Sequence, residues 1–488
     1  YWGWDPVENS SLIPWLVSVA LVHGFFLQMR RNALKRINAF MAIIYFVLIF
    51  LSTWFTRGGA LANFSVHSFS SSGIANYLLA FIIIISIASV VLFIVRSSDS
   101  SGERIVAEEF NWDMLTLYGI IVILVYALVI LTGTAMPIIT SLFMEHPANV
   151  TESFYNNFTR PFGMLILLLM IAATTRIVET PKTLSSRENI IALAASSALG
   201  IVINIGFTKS PAAIMFSIIS IFLIARAVID LAKTRARLTL PSRLTHIGIG
   251  ILALGIVTSG FHTTSGRQKM VQGAGYAING VQMTFLDHHE GKEPYLRFSV
   301  KMDSHTRVVN IAYYFDQKTE SIFKEPYIIP GLLDDVYIAP DDYVSGAESL
   351  TLLVIGRGEV KEFGGMRMKF MGFRTEHMTS GEPTTYADME VNGQRVSPGI
   401  AFADGRMRHL DCPIPGTDRS LAVREINATS KQILLYVAPG KNIVTPPDTV
   451  IITVTRKRLI WLVWLGTILI AAGCGDAYVL SLRGKGRS

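Results

Sequence analysis

The sequence predicts an all-α polytopic membrane protein of about nine transmembrane helices, with a β-rich extracytoplasmic domain before the last helix. Three observations predict it. Of the 488 residues, 51% are hydrophobic and only 16% charged, with a mean hydropathy of +0.43, which is too apolar for an ordinary soluble chain. Apolar runs long enough to cross a hydrocarbon core of roughly 30 Å recur along most of the chain. Between His262 and about Thr455 those runs stop and charge rises. A disordered chain and a nucleic-acid-binding module are excluded, because the net charge of +7 comes from basic residues gathered in short loops between apolar runs.

The runs, in order, are Ser11 to Met29, Asn38 to Phe55, Ala75 to Val95, Met114 to Met136, Pro161 to Thr175, Asn189 to Phe207, Ala212 to Leu231, Leu244 to Phe261 and Leu459 to Leu480. The fifth is short, and the sixth is diluted by Ala, Ser and Gly. Lys and Arg concentrate in alternate loops. One set carries Arg30, Arg31, Lys35 and Arg36, then Arg96 and Arg104, then Arg176, Lys182 and Arg187, then Lys233, Arg235, Arg237 and Arg243, then Arg483, Lys485 and Arg487. The other short loops hold Arg57, Arg160 and Lys209. The first set is therefore assigned to the cytoplasm. Arg456, Lys457 and Arg458 go against this rule, but they end a long translocated domain, where the rule is weak.

Within that domain, YLRFSVK (Tyr295 to Lys301), RVVNIAYYF (Arg307 to Phe315), RMKFMGF (Arg367 to Phe373) and QILLYV (Gln432 to Val437) alternate between turns rich in Gly, Pro and Asp. They read as strands of a sandwich or barrel. The domain boundaries follow: an outer segment 1–10, an eight-helix membrane domain 11–261, the β-rich domain 262–456, and the last helix with a cytoplasmic tail 457–488. No repeat at a fixed period is visible. Cys412 and Cys474 lie in unlike surroundings, so no disulfide framework is expected. The chain opens on Tyr1, and its natural start is expected upstream.

The opening segment is Tyr1-Trp2-Gly3-Trp4-Asp5-Pro6-Val7-Glu8-Asn9, followed by Pro14 and Trp15. Indoles favour the headgroup layer, so an interfacial belt is one reading. A flat aromatic shelf for a large planar ligand is the other. WGWDPVENSSLIPWL resembles the tryptophan-rich WWD signature of the cytochrome c biogenesis heme-handling family, in particular its heme lyase subunit of the CcmF type. LVHG, TWFTRGGALANFSVHSF, EEFNWDMLTLYGIIVILVYALVILTGTAMP, FYNNFTRPFGMLILLLM and LTHIGIGILALGI resemble that family in order and spacing. The WWD signature and SVHSF carry the specificity. That family has several helices and an outer-face histidine before the signature, whereas this chain begins inside it.

Two of the ten histidines lie in apolar runs at comparable depth. His23 is six residues before Met29, about 9 Å from the cytoplasmic edge, and His246 is two residues after Leu244, about 3 Å from the same edge. That is the geometry needed for two ring nitrogens to bind one heme iron from opposite faces. Packing or hydrogen bonding inside the bundle is the alternative. The resemblance implies that His23 and His246 are the axial ligands of a buried heme b. Gly248, Gly250 and Gly255 would let a macrocycle approach the backbone, or else form a helix contact face.

His67 lies in the loop that follows Arg57. The resemblance implies that His67 is one of two outer histidines holding the substrate heme over Trp2, Trp4, Asp5 and Trp15, with Arg57 as a candidate partner of a propionate. His288, His289, His305, His377 and His409 have no partner at ligand spacing, Cys412 is a lone thiol, and His146 matches no motif. The β-rich domain shows no catalytic constellation and is expected to be a docking platform.

The resemblance implies cytochrome c maturation: heme vinyl groups receive the two thiols of a CxxCH motif on apocytochrome c, and the protein supplies positioning rather than a nucleophile. It also implies that the buried heme b passes an electron to the substrate heme. The partners it implies are heme, apocytochrome c, a periplasmic heme chaperone, thiol-reducing and apocytochrome-binding maturation subunits and the lipid bilayer, with no nucleic acid. The location is the cytoplasmic (inner) membrane, with the β-rich domain on the periplasmic side. Two rivals are a heme export or relay protein of the same superfamily and a polytopic secondary transporter. The latter would carry inverted repeats and broken helices, which the sequence does not show.

Overall fold

The computed structural model describes residues 2–59, 61, 73–96, 111–145, 147–175, 185–233, 240–289, 294–302, 305–316, 321–346, 351–363, 365–377, 383–403, 406–427, 431–439 and 447–485. Among them are nine helices: α1 (Pro6–Arg31), α2 (Lys35–Arg57), α3 (Ala75–Arg96), α4 (Trp112–Ser141), α5 (Glu152–Thr174), α6 (Arg187–Asn204), α7 (Pro211–Lys233), α8 (Leu240–Phe261) and α9 (Trp461–Lys485). Eight are long and apolar enough to cross a bilayer, and the chain is a multi-pass membrane protein. The exception is α6, where Ala, Ser and Gly dilute the apolar run.

Local chemistry sets where these helices begin. Asp5 is the N-cap of α1, its carboxylate accepting from the Val7 backbone N–H at 2.8 Å, while Glu8 accepts from the Asp5 backbone N–H at 3.1 Å. With Pro6 in the first turn this is a complete capping box. Asn111 caps α4 in the same way. Helix α5 begins at Glu152, nine residues before Pro161, where the sequence placed its start. A proline inside a membrane helix is tolerated because neighbouring groups re-satisfy the backbone carbonyl it frees.

The helices pack in a series, α3 on α2, α2 on α1, α1 on α4, α4 on α5, α5 on α7, α7 on α8 and α8 on α9, with α6 against α7. Antiparallel α1 and α2 are tied by the Ser52 hydroxyl, which donates to the Ser10 carbonyl. At the end where α1 finishes, the buried Asp113 carboxylate accepts from Arg31 Nε at 2.6 Å and faces Arg30 at 3.6 Å. The glycines of α8 prove to be packing positions. A Cβ on Gly248 would lie 2.8 Å from the Gly466 carbonyl oxygen of α9, and one on Gly255 would lie 2.6 Å from Val463 N. Gly250 abuts Ile224 of α7 instead. The reading of these glycines as a macrocycle cradle is therefore corrected: a helix contact face occupies them, because only residues without a side chain let α8 and α9 backbones approach so closely.

Between α8 and α9 lie β1 (Thr264–Val271), β2 (Gly275–Ile278), β3 (Val281–His289), β4 (Tyr295–Met302), β5 (His305–Asp316), β6 (Ser321–Lys324), β7 (Tyr327–Ile329) and β8 (Asp334–Val344). Next come β9 (Thr351–Gly356), β10 (Val360–Phe363), β11 (Met366–His377), β12 (Pro383–Val391), β13 (Gln394–Val396), β14 (Gly399–Ala403), β15 (Arg406–Leu410), β16 (Cys412–Pro413), β17 (Arg419–Asn427), β18 (Gln432–Pro439) and β19 (Thr449–Arg458). The four sequence-predicted strands fall inside β4, β5, β11 and β18.

These strands build two cores. Sheets ordered β1-β19-β8-β7 and β2-β3-β4-β5-β6 enclose Met270, Phe285, Phe298 and Ile338. Sheets ordered β10-β11-β12-β14-β15 and β16-β17-β18-β9 enclose Met368, Phe370, Met389 and Leu435. The second unit is inserted between β8 and β19 of the first. Because β8 pairs Asp334 with Arg458 next to α9 and Val344 with Thr449 at its other end, the insertion leaves the first unit roughly 30 Å along the strand from the helices.

The three basic residues that ran against the charge rule are engaged within this fold. Arg456 donates to Asp334 at 3.1 Å and to the Asn279 carbonyl at 2.8 Å, Lys457 lies over the Tyr337 ring at 5.0 Å, and Arg458 lies over Phe207 at 4.0 Å.

Candidate functional site

His23 and His246 come from helices that are not packed along each other, since α1 is covered by α2 and α4 and α8 by α7 and α9. Counted on the observed helices, His23 lies eight residues before the end of α1, about 12 Å, and His246 six residues after the start of α8, about 9 Å. The two depths differ by about 3 Å, less than the sequence boundaries gave.

The hydrogen bonds of both rings leave the same atom available. His23 Nδ1 is 2.8 Å from the Val19 carbonyl, which can only accept, so Nδ1 carries the proton and Nε2 carries the lone pair. His246 Nδ1 is 3.2 Å from the Ser242 hydroxyl. Neither Nε2 has a hydrogen-bond partner among the described residues. One ring nitrogen anchored and the other bare is the arrangement that metal-ligating histidines use. The residues present thus fit a bis-histidine heme, although the glycines beside His246 do not contribute to its cradle.

At the opposite end, the signature segment divides into held and presented parts. Trp4 has a left-handed backbone, φ 58°, a strained conformation for a bulky residue. It turns the indole flat against Tyr155 of α5, with centroids 5.1 Å apart and planes 10° apart, and its Nε1 donates to Asn156 at 2.9 Å. Trp2 meets Trp4 edge-on at 6.0 Å and is 46% exposed. Asp5 serves as the helix cap, which is a structural duty. Trp15 lies nine residues into α1 from Pro6, about 14 Å along the axis, so it does not share the level of Trp2 and Trp4. Arg57 ends α2, and the Ser52 to Ser10 bond sets it beside the start of α1. His67 and His146 lie outside the described residues. Tyr155 and Asn156 were missed by sequence reasoning, although FYNNF carried them, because the polar stretch before Pro161 reads as a loop.

A second histidine-centred contact joins the helices to the β domain. His262, 3% exposed and directly after α8, donates from Nε2 to Asn204 Oδ1 at 3.0 Å and stacks on Phe207 at 5.0 Å. Burial, and then the Arg458 guanidinium, push its pKa below the ordinary histidine value. A depressed folded-state pKa means that the unfolded chain takes up the proton first, so this stability is present above about pH 6.5 and is lost as the pH falls below it. A drop in unfolding temperature between pH 7.5 and 5.5 is expected, and His262→Gln should flatten it. An equal drop in both proteins would remove His262 as the cause.

The helical bundle carries two imidazoles within membrane-length helices and a tryptophan-bearing helix start, and residues 1–62 match the family model described as Cytochrome C assembly protein. Over longer stretches the chain is similar to cytochrome c-type biogenesis proteins, CcmF among them. The chain is 27% identical over 334 residues to the cytochrome c-type biogenesis protein CycK of Bradyrhizobium diazoefficiens, covering 63% of this chain and 50% of that protein. It is 25% identical over 360 residues to CcmF of Escherichia coli, covering 70% and 54%. The chain thus spans about half the length of the curated relatives it matches. The solved structure of the cytochrome c heme lyase CcmF aligns with 98% of this chain and 60% of its own, at 18% identity and a TM-score of 0.47.

Proposed function

We propose that the chain acts in cytochrome c maturation, positioning heme for covalent thioether attachment to the CxxCH motif of apocytochrome c. The observation that carries this reading is the histidine pair, with both Nε2 atoms bare within membrane-spanning helices. His23 and His246 would hold heme b, which supplies a one-electron redox centre when bound. Val19 and Ser242 engage the two rings through Nδ1, which would leave each Nε2 available to the iron. At the other end Trp2 offers a free aromatic face, Trp4 and Tyr155 make it rigid, and Arg57 can bind a carboxylate of the substrate heme bidentately. His67 would ligate the substrate iron there.

The basic loops support the sidedness of this reading: the end with Arg30, Arg31, Lys233 and Arg243 is cytoplasmic and the β domain lies on the opposite side, which in an inner membrane would be the periplasm. The β domain would dock apocytochrome c and the other maturation subunits, raising their concentration near Trp2. The reading is tested by the absorption spectrum of the detergent-purified chain, reduced and oxidised. Low-spin heme b bands in the as-purified protein are expected, and a protein free of heme after expression in a heme-replete host would overturn it.

A further inference from the structure

The turn from β7 to β8 carries an apolar tip that stands exposed among the described residues. Leu332 is 79% exposed and Leu333 64%, next to Ile328 at 45%. Large aliphatic side chains this open, side by side, mark an interaction surface. The turn is also rigid. Gly331 N donates to Asp335 Oδ1 at 2.9 Å, and a Cβ at Gly331 would lie 2.4 Å from the Asp334 carbonyl oxygen, so only glycine fits there.

What covers the tip is indicated by what the tip is tied to. Leu459 N donates to the Leu333 carbonyl at 2.9 Å, and Trp461 Nε1 donates to the Leu332 carbonyl at 2.9 Å. The leucines therefore sit level with the first turn of α9, and are continuous with its exposed face at Trp461, Trp464 and Ile468. Immediately after Leu333 the chemistry reverses. Asp334 engages Arg456 and Arg458, forming a polar rim above the apolar tip. An aromatic residue at the helix entry, leucines beside it and paired charges just beyond is the layering of a bilayer interface.

We propose that residues 328–333 insert into the bilayer leaflet on the β-domain side, with Leu332 and Leu333 in contact with lipid acyl chains. The turn gives the first β unit a membrane attachment separate from its two covalent connections to α8 and α9. A third attachment point beside those two connections restricts the tilt of the β unit relative to the membrane.

The test uses the full chain in phosphatidylcholine vesicles, with Cys412 and Cys474 replaced by Ser and one environment-sensitive fluorophore on Leu332→Cys. The reference is Val354→Cys, an exposed site in the distal β unit. Expected are a blue-shifted emission at 332 and several-fold stronger quenching by lipids bearing a nitroxide near the headgroup end of the acyl chain than at 354, with iodide quenching reversed between the two sites. Equal iodide access at 332 and 354 would overturn the proposal. Protection at 332 from both quenchers would also overturn it, because it would mean that protein covers the tip. This outcome does not depend on heme binding, so it stands or falls apart from the proposed maturation role.

Discussion

Replacing either His23 or His246 by Ala is expected to lower the heme b content of the purified protein sharply while leaving membrane insertion intact. Each substitution removes one of the two proposed axial nitrogens and leaves the helices their packing, since both rings are only partly buried and are bonded within their own helix. Loss of an outer-shell partner alone typically costs roughly 10–100-fold in metal affinity, and loss of the ligand itself should exceed that. The measurement is the Soret and α-band absorbance per protein, together with the spin state of what remains. A single variant that kept full heme and an unchanged bis-histidine spectrum would show the pairing to be wrong.

Loss of Trp2 or His67 should abolish cytochrome c maturation and leave the buried heme in place. Trp2 lies beside the capped start of α1, at the opposite end of that helix from His23, and is 46% exposed, so Trp2→Ala removes the proposed ligand contact at the cost of one edge-on contact with Trp4. Trp4→Ala is a different experiment: it removes the stack on Tyr155 and the bond to Asn156, so part of any effect is structural. Asp5→Ala should cost about 1 kcal/mol of helix stability through the lost cap. The informative assay is covalent heme on a co-expressed cytochrome c, read beside heme b in the same membranes. Disappearance of heme b in His67→Ala, with His23 and His246 intact, would merge the two sites into one.

Much of this arrangement was legible in the sequence because membrane helices are written locally. A run of apolar residues specifies a span by itself, so eight of the predicted runs mark helices that reach membrane length and apolarity. The capping box D-P-V-E lay in the sequence as well, but the resemblance placed Asp5 at the heme site and not at the N-cap that it proves to be. The sequence left the role of Gly248 and Gly255 open between a macrocycle cradle and a helix contact face, because the choice depends on Gly466 and Val463 arriving more than two hundred residues later. Pairing at such distance leaves no local trace. The same holds for the β domain: its strands could be read from alternation, but its division into two cores rests on β8 meeting β19, which no window of sequence contains.

That long-range pairing orders events during biogenesis. Ser265 bonds to Thr455 across 190 residues, so the sheet begun by β1 cannot close until Thr449–Arg458 has been synthesised. The inserted unit, by contrast, has all of its strands in one continuous stretch and can fold as soon as it emerges. The nascent chain should therefore display a finished distal module on an open proximal one, and the strand that completes the latter runs directly into α9. Closure of the β sheet and threading of the final helix then form a single late step, and a stall anywhere between β8 and β19 would leave β1 and β8 with unpaired edges.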